Sequence, residues 1–218
     1  MIRLVLFDMD GTLLNGRTIF HLAEKFGFLS NLQYIMKTQY EPYKKSIQIA
    51  KLLQGFEKKD ILDCIQKIPL HPHVETVLKT LQTQGIKTAI ATDSYDIVAE
   101  YLKGQLHCDH AFANRLIFHD NIATGSIEIH NSKLIKDSYT QQIYSIAKGI
   151  TLHDLTKKYN LTLSETMAVG DGVVDISMIR SAGVGVAFNA SDQVNQSADK
   201  IINEFDAILD IIQDVMVK

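Results

Sequence analysis

Near its start the chain carries an apolar run, Leu4–Phe7, in which no polar residue alternates with the hydrophobic ones. That pattern predicts a strand buried on both faces, as in the interior of a parallel sheet. From Asn15 to Pro69 the period changes to that of amphipathic helices. Four pieces, Thr18–Phe26, Asn31–Tyr40, Tyr43–Gln54 and Lys58–Ile68, are punctuated by Gly27, Pro42, Gly55 and Pro69. Ser30 and Gln33 have capping-box spacing for the second piece. Four helices after one strand exceed a single crossover connection. Residues 15–71 are therefore expected to form an inserted helical subdomain, with 1–14 and 72–218 as the main body.

Beyond His71 strand and helix patterns alternate. A helix over Pro72–Gln84 precedes a strand at Lys87–Thr92, a helix at Tyr95–Leu102 and a short strand at Ala111–Asn114. Two β-rich runs between Leu116 and Ile129 flank Thr124, Gly125 and Ser126 and read as a hairpin. Helices are expected near Gln141–Tyr159 and at Ile176–Ser181, with strands at Thr166–Val169, Val184–Phe188 and Asp199–Ile202 and a closing helix at Glu204–Val217. This alternation predicts an α/β protein built on a parallel sheet.

Ligands of open α/β sheets bind outside the carboxyl ends of the strands. The first strand delivers Asp8, Met9, Asp10, Gly11 and Thr12 there. The second ends in Thr92, Asp93 and Ser94, and the strand Thr166–Val169 in Gly170, Asp171, Gly172, Val173, Val174 and Asp175. In an extended chain Asp8 and Asp10 share one side and repel each other, which predicts a cation between them. Several carboxylates around a hard cation suit Mg²⁺. With Lys148, such an ion would neutralise a phosphate dianion that the carboxylates otherwise repel, while Thr92 and backbone N–H groups hold its oxygens. One carboxylate could then attack phosphorus in line, and a second could protonate the leaving oxygen and later activate water. Asp8 and Asp10 are spaced for that pairing.

Composition narrows the partners. The chain has 218 residues, 46% hydrophobic and 22% charged, with a net charge of −3. That is ordinary for a soluble domain and gives no basic field to recruit nucleic acid or an acidic membrane. A small anion would have to be captured by local charges. The two cysteines, Cys64 and Cys108, form no C-x-x-C pair, and Cys64 lies on an apolar helical stripe, which fits a reducing cytoplasm. Leu4–Phe7 is too short for a signal-peptide core, and no uncharged run approaches the roughly 20 residues that span a bilayer. A cytoplasmic location is expected. His107, Cys108, Asp109 and His110 invite a metal reading, but at a junction of helix and strand their side chains are expected to diverge.

The motifs "FDMDGT", Thr92, Lys148 in "AKG", and "GDGVVD" resemble those of the haloacid dehalogenase superfamily, within its phosphoserine phosphatase branch. The likeness runs nearly end to end and includes "FANRL", "AVGDG" and "AFNA". It implies a Rossmann-like core with a helical cap after the first strand. It further implies that Asp8 is the nucleophile that becomes phosphorylated, and Asp10 the general acid and then the base. Thr92 and Lys148 would grip the phosphate. Mg²⁺ would be held by Asp8 and Asp171, by the main-chain carbonyl of Asp10, and with the help of Asp175, which orients Lys148 or metal-bound water. Gly11, Asp93 and Ser94 are candidate substrate contacts, although Asp93 reads first as a turn residue. Asp10 also separates the chain from the dehalogenases, which lack that second aspartate.

The cap departs from the branch. Arg17 stands seven residues after Asp10, where phosphoserine phosphatases place a glutamate toward the substrate's ammonium. Ala50 aligns with their carboxylate-binding arginine, with Tyr43 as a nearby aromatic contact and Lys44, Lys45 and Lys51 around it. Val174 replaces an asparagine near the phosphate. Reversing the charge offered to an ammonium group predicts that phosphoserine is a poor substrate. The expected function is Mg²⁺-dependent hydrolysis of a small phosphorylated metabolite through an aspartyl-phosphate. The alternatives are phosphoryl transfer to an alcohol, or a non-catalytic phosphate-binding regulator; the second is at odds with the presence of Asp8, Asp10 and Lys148.

Overall fold

The computed structural model describes residues 1–217, the side chains of Met216 and Val217 excepted. Strand β1 (Leu4–Phe7) is followed by helices α1 (Thr18–Phe26), α2 (Leu29–Lys37), α3 (Pro42–Lys51), α4 (Lys58–Ile65) and α5 (Val74–Thr83). Then come β2 (Lys87–Tyr95), α6 (Asp96–Leu106), and the pair β3 (His110–His119) and β4 (Ile122–Glu128). The remainder is α7 (Lys148–Tyr159), β5 (Thr166–Gly170), α8 (Ile176–Ser181), β6 (Val184–Phe188), α9 (Asp192–Asn195), β7 (Lys200–Ile202) and α10 (Ala207–Val217).

The seven strands form one sheet in the order β4-β3-β2-β1-β5-β6-β7. All neighbours are parallel except β3 and β4. β1 is central, with Phe7 level with Ile90 of β2 and Val169 of β5. The chain leaves β1 toward β2 on one side and returns to β5 on the other, so the carboxyl end of β1 is the point where strand order reverses. All four residues of β1 are buried. Val5 and Phe7 pack into the larger core, whereas Leu4 and Leu6 pack against Leu152 and Leu155 of α7. The α/β fold with helices flanking a parallel sheet is as the sequence pattern predicts.

Four departures have local causes. α2 starts at Leu29 with Phe28 before it and no side-chain cap, so Ser30 and Gln33 do not form the expected capping box. Gly27 turns the chain in the left-handed region, and Phe28 stacks near Phe56, which fixes the helix entry by apolar contact instead. The hairpin turn lies at Asp120 and Asn121, with φ of 49° and 65°, not at Thr124–Ser126. Asp and Asn tolerate that conformation and match the twist of the flanking strands. Gly125 sits inside β4, where a Cβ would come within 2.9 Å of the Gln54 Cβ and 3.3 Å of the Lys51 Cα. It lets the hairpin lie against the end of α3, and Gly55 and Lys58 donate to the carbonyls of Ala123 and Asn121. The helices expected near Gln141 reduce to α7 alone. Residues before it form a loop tied by buried Asn131, whose side chain bonds the backbone of Ile135 and Tyr144. Finally, β2 and β3 run past their expected ends, to Tyr95 and His119.

Candidate active site

Period two along β1 places Asp8 on the face of Leu4 and Leu6, the one covered by α7. The first residue of α7 is Lys148, fully buried, and its Nζ pairs with Oδ1 of both Asp8 and Asp175. Asp175 is also fully buried, and its Oδ2 accepts the N–H groups of Asp171 (3.1 Å) and Gly172 (2.8 Å). Asp8, Asp171 and Asp175 each bring one oxygen within 4.8 Å of the others. Thr12 Oγ1 donates to Asp171 Oδ1 at 3.2 Å, and Arg17 Nη2 to its Oδ2 at 3.4 Å. Gly11, at φ +91°, makes this approach possible, since a Cβ there would lie 2.6 Å from Asp171 Oδ2.

Asp10 does not join that cluster. After Asp8 the chain leaves the extended form and turns, with Leu13 and Leu14 donating to the Met9 carbonyl. The Asp10 side chain is thereby taken by Thr18 at the start of α1, which donates its hydroxyl (2.5 Å) and its N–H (3.1 Å) to Oδ1. Asp8 faces Lys148 and Asp171, whereas the Asp10 carboxyl is turned to Thr18 and its main-chain carbonyl accepts no hydrogen bond among the described residues.

A cavity of about 360 Å³ opens above the cluster. Asp8, Asp10, Asp171 and Asp175 lie at its floor with Arg17, Asp93 and Ser94 on the wall, and Ile19, Met36, Ser46 and Ile49 reach it from α1–α3. A larger cavity of about 440 Å³ lies along α7 between Ile135, Tyr139 and His153, and none of the acidic cluster lines it. Chemistry, not size, marks the first as the site. Thr92 is buried behind it, accepting the Ser94 N–H on Oγ1 at 3.1 Å. Four expected phosphate or substrate contacts, Thr92, Lys148, Gly11 and Tyr43, are not among the lining residues. The Gly11 N–H is bonded to the carbonyls of Leu14 and Gly16, and Tyr43 donates its N–H to Ile143 with Lys44 over its ring. Ala50 is fully buried in the core. Sequence reading missed Thr12, Thr18 and Asn114. Thr18, a hydroxyl opening a predicted helix, carried a signal; Asn114 had only its place in a resembling motif.

Three carboxylates face the Lys148 ammonium and the half-exposed Arg17 guanidinium, which pairs with Asp171. Burial, followed by the charge of Asp8, pushes Asp171 up to about 6. Asp175 is raised by burial and then by Asp8, against the pull of Lys148. Burial alone would lower the Lys148 ammonium, but the charges of Asp175 and Asp8 hold it above its ordinary range. Burial raises Asp10 to about 7 despite the two bonds from Thr18. Asp93 is open to the cavity yet enclosed by surrounding protein, and that enclosure raises it while Lys148 opposes the rise.

These shifts predict how the metal-free protein responds to pH. Between about pH 4 and 7 an unfolded Asp10 is ionised while the folded one keeps its proton, so the folded state binds more protons. Stability of the metal-free protein should therefore fall as pH rises through this window, by up to a few kcal/mol, and saturating divalent cation should flatten the slope. Urea unfolding at several pH values, with chelator and with Mg²⁺, checks both.

A profile of the haloacid dehalogenase-like hydrolases matches residues 2–183, and the chain belongs to that family. Among its relatives, the phosphoserine phosphatase of Methanocaldococcus jannaschii is 32% identical over 208 residues, covering 94% of this chain and 93% of that protein. The phosphoserine phosphatase of Idiomarina loihiensis is 28% identical, covering 92% and 88%. A substrate-bound phosphoserine phosphatase structure superposes with a TM-score of 0.84 at 30% identity, covering 97% of this chain and 98% of that one. A phospho-aspartyl intermediate analogue of phosphoserine phosphatase gives 0.83 at 30% identity, covering 96% and 98%. The chain is a phosphoric monoester hydrolase of the haloacid dehalogenase type. Among the described residues no helix is long and apolar enough to cross a membrane.

Proposed function

We propose that this enzyme hydrolyses a small phosphomonoester with Mg²⁺ through a phosphoaspartate at Asp8. The observation that carries the proposal is the placing of the two aspartates. Asp8 sits beside a buried ammonium at the cavity floor, and Asp10 is held separately by Thr18 with a carboxyl that keeps its proton near neutrality.

The donor set fits a hard divalent cation. It is all oxygen, it carries surplus negative charge, and the Asp10 carbonyl accepts no hydrogen bond among the described residues. Asp8, Asp171 and the Asp10 carbonyl would hold the ion. Asp175, whose oxygens are taken by Lys148 and two N–H groups, would orient rather than ligate. Bound Mg²⁺ would supply positive charge against the phosphate dianion and fix one of its oxygens. Lys148 neutralises the nucleophile's surroundings and faces the incoming phosphoryl group. An Asp8 oxygen attacks phosphorus, the ester P–O bond breaks, and Asp10 gives its proton to the departing alkoxide. Asp10, now a carboxylate, takes a proton from water as the water oxygen attacks phosphorus. The Asp8–phosphorus bond breaks and inorganic phosphate leaves. Residues 15–71 act as a cap whose Ile19, Met36, Ser46 and Ile49 shield the reaction from bulk water. The β3–β4 hairpin braces that cap through Gly55 and Lys58.

The test is phosphate release from small phosphomonoesters. Release should require Mg²⁺ and stop on chelation. Asp10→Asn should lower kcat/KM on alkyl phosphates by roughly 10²–10⁴-fold. The loss should be much smaller on p-nitrophenyl phosphate, whose leaving group needs no proton. Equal losses on both would refute the acid role. Faster consumption of ester without matching phosphate when alcohol is added would instead support a phosphotransferase.

A further inference from the structure

β2 and β3 lose their even pairing beside the active cavity. Ala91 lies opposite Phe112 and Tyr95 opposite Asn114, so β2 advances four residues while β3 advances two. Thr92, Asp93 and Ser94 span the resulting bulge, and Asp93 and Ser94 line the cavity. A bulge re-aims backbone groups next to a site but takes them out of the ladder, so their hydrogen bonds must be made elsewhere.

Two side chains make them. Thr92 Oγ1 accepts the Ser94 N–H at 3.1 Å, and Asn114 Nδ2 donates to the Asp93 carbonyl at 2.6 Å. Asn114 is fully buried and does not line the cavity. Its Nδ2 also donates to Ser145 Oγ at 2.9 Å, and its Oδ1 accepts the His130 N–H at 3.1 Å. With two acceptors on one side and a donor on the other, the amide has a single satisfied orientation.

Ser145 extends the tie. It is buried, it lies three residues before Lys148 in the loop that leads into α7, and its hydroxyl is met by Ser46 Oγ of α3 at 3.2 Å. Ser46 lines the cavity from the cap. The start of α3 is seated on the same loop by the main chain. The Tyr43 N–H donates to the Ile143 carbonyl at 3.0 Å, and the Ile143 N–H donates to Glu41 Oε2 at 3.1 Å. One buried amide thus joins the bulge that ends β2, the loop that delivers the lysine and, through one hydroxyl, the cap.

Resting on the phosphatase reading, we propose that Asn114 is a positioning residue for phosphoryl transfer, holding the Thr92–Ser94 bulge and the Ser145–Lys148 loop in register with the cap. It acts through these groups and supplies no chemistry of its own. Phosphoryl transfer depends mainly on placement and on charges fixed around the moving group, so a shift in these loops costs rate even with the nucleophile intact.

Asn114→Asp is the sharper variant. It keeps the shape and the oxygen that meets His130, but turns an acceptor toward the Asp93 carbonyl. Asn114→Ala removes all three bonds and serves if the first variant fails to fold, and Ser145→Ala cuts the same tie from the other end. Each whole protein is assayed on p-nitrophenyl phosphate with Mg²⁺ and titrated calorimetrically with fluoroberyllate, which mimics a phosphoryl group on an aspartate. The Asn114 variants should lose roughly 10–100-fold in kcat, and their fluoroberyllate Kd should rise at least about tenfold at undiminished stoichiometry. Ser145→Ala should shift both in the same direction, and adding it to Asn114→Ala should cost little more than either change alone. Fewer binding sites of unchanged Kd, the mark of a merely structural residue, or fully additive losses overturn the assignment. If the parent turns over and the variants keep its kcat and Kd, only the positioning role falls. A parent that releases no phosphate from any ester removes the phosphatase reading and this role with it.

Discussion

Asp8→Asn is expected to abolish turnover, lowering kcat by at least about 10⁴-fold, and to leave the metal-free protein as stable as the parent or more so. The substitution is isosteric, so the cavity keeps its shape, but an amide cannot displace the ester oxygen. In stability the change runs the other way. Asp8 shares the Lys148 ammonium with Asp175 and lies beside Asp171, and its charge raises both Asp171 and Asp175. Removing that charge relieves the repulsion, while Lys148 retains Asp175. Steady-state phosphate release and thermal unfolding of the same preparation check the two halves together. A variant that is inactive because it is unfolded would contradict the prediction, as would one that keeps a tenth of the parent's rate.

Lys148→Met produces the opposite stability result. Lys148 is fully buried, and its loss leaves Asp8 and Asp175 without their shared counter-charge. Breaking a buried pair by removing one partner costs about 3–5 kcal/mol. Burial already raises Asp175, and without its counter-charge it can recover by taking up a proton. Stability linked to that proton is present in acid and lost as pH rises through the raised value. The variant should therefore be closest to the parent at pH 5 and furthest below it at pH 8, with phosphate release reduced by roughly 10³-fold or more at both. Urea unfolding at the two pH values measures the first effect. An equal deficit at both would mean that lost packing of the lysine stem, not stranded charge, sets the cost.

The parts of this protein legible in its sequence are those governed by short-range rules. β1 and the helices Thr18–Phe26 and Ile176–Ser181 follow from hydrophobic period and appear with the expected bounds. The convergence of Asp8, Asp171 and Asp175 follows from strand ends meeting at one edge of a parallel sheet, and Lys148 reaches Asp8 and Asp175 from the first turn of α7. What escaped depends on contacts between distant segments. The hairpin turn could sit at Asp120–Asn121 because Gly125 was required elsewhere, against α3. The loop before α7 has helical spacing in places, yet the Asn131 side chain supplies its hydrogen bonds, and no periodicity records that. Asp10 leaves the extended line of β1 because the chain turns on the Met9 carbonyl, and its side chain is then met by Thr18, eight residues on. Tyr43 lies in α3, where a shift of one helical position turns a side chain away from the cavity.

The most direct test of the account is to find where the phosphoryl group resides. The Asp10→Asn enzyme, slowed in hydrolysis of the intermediate, is mixed with a substoichiometric good-leaving-group phosphomonoester and Mg²⁺, quenched in acid, reduced with borohydride and mapped by peptide mass spectrometry. The account predicts alcohol release ahead of phosphate release, and modification at Asp8 alone, absent when Asp8→Asn is added. Modification at another residue, or alcohol and phosphate leaving in step with nothing retained on the protein, would contradict it.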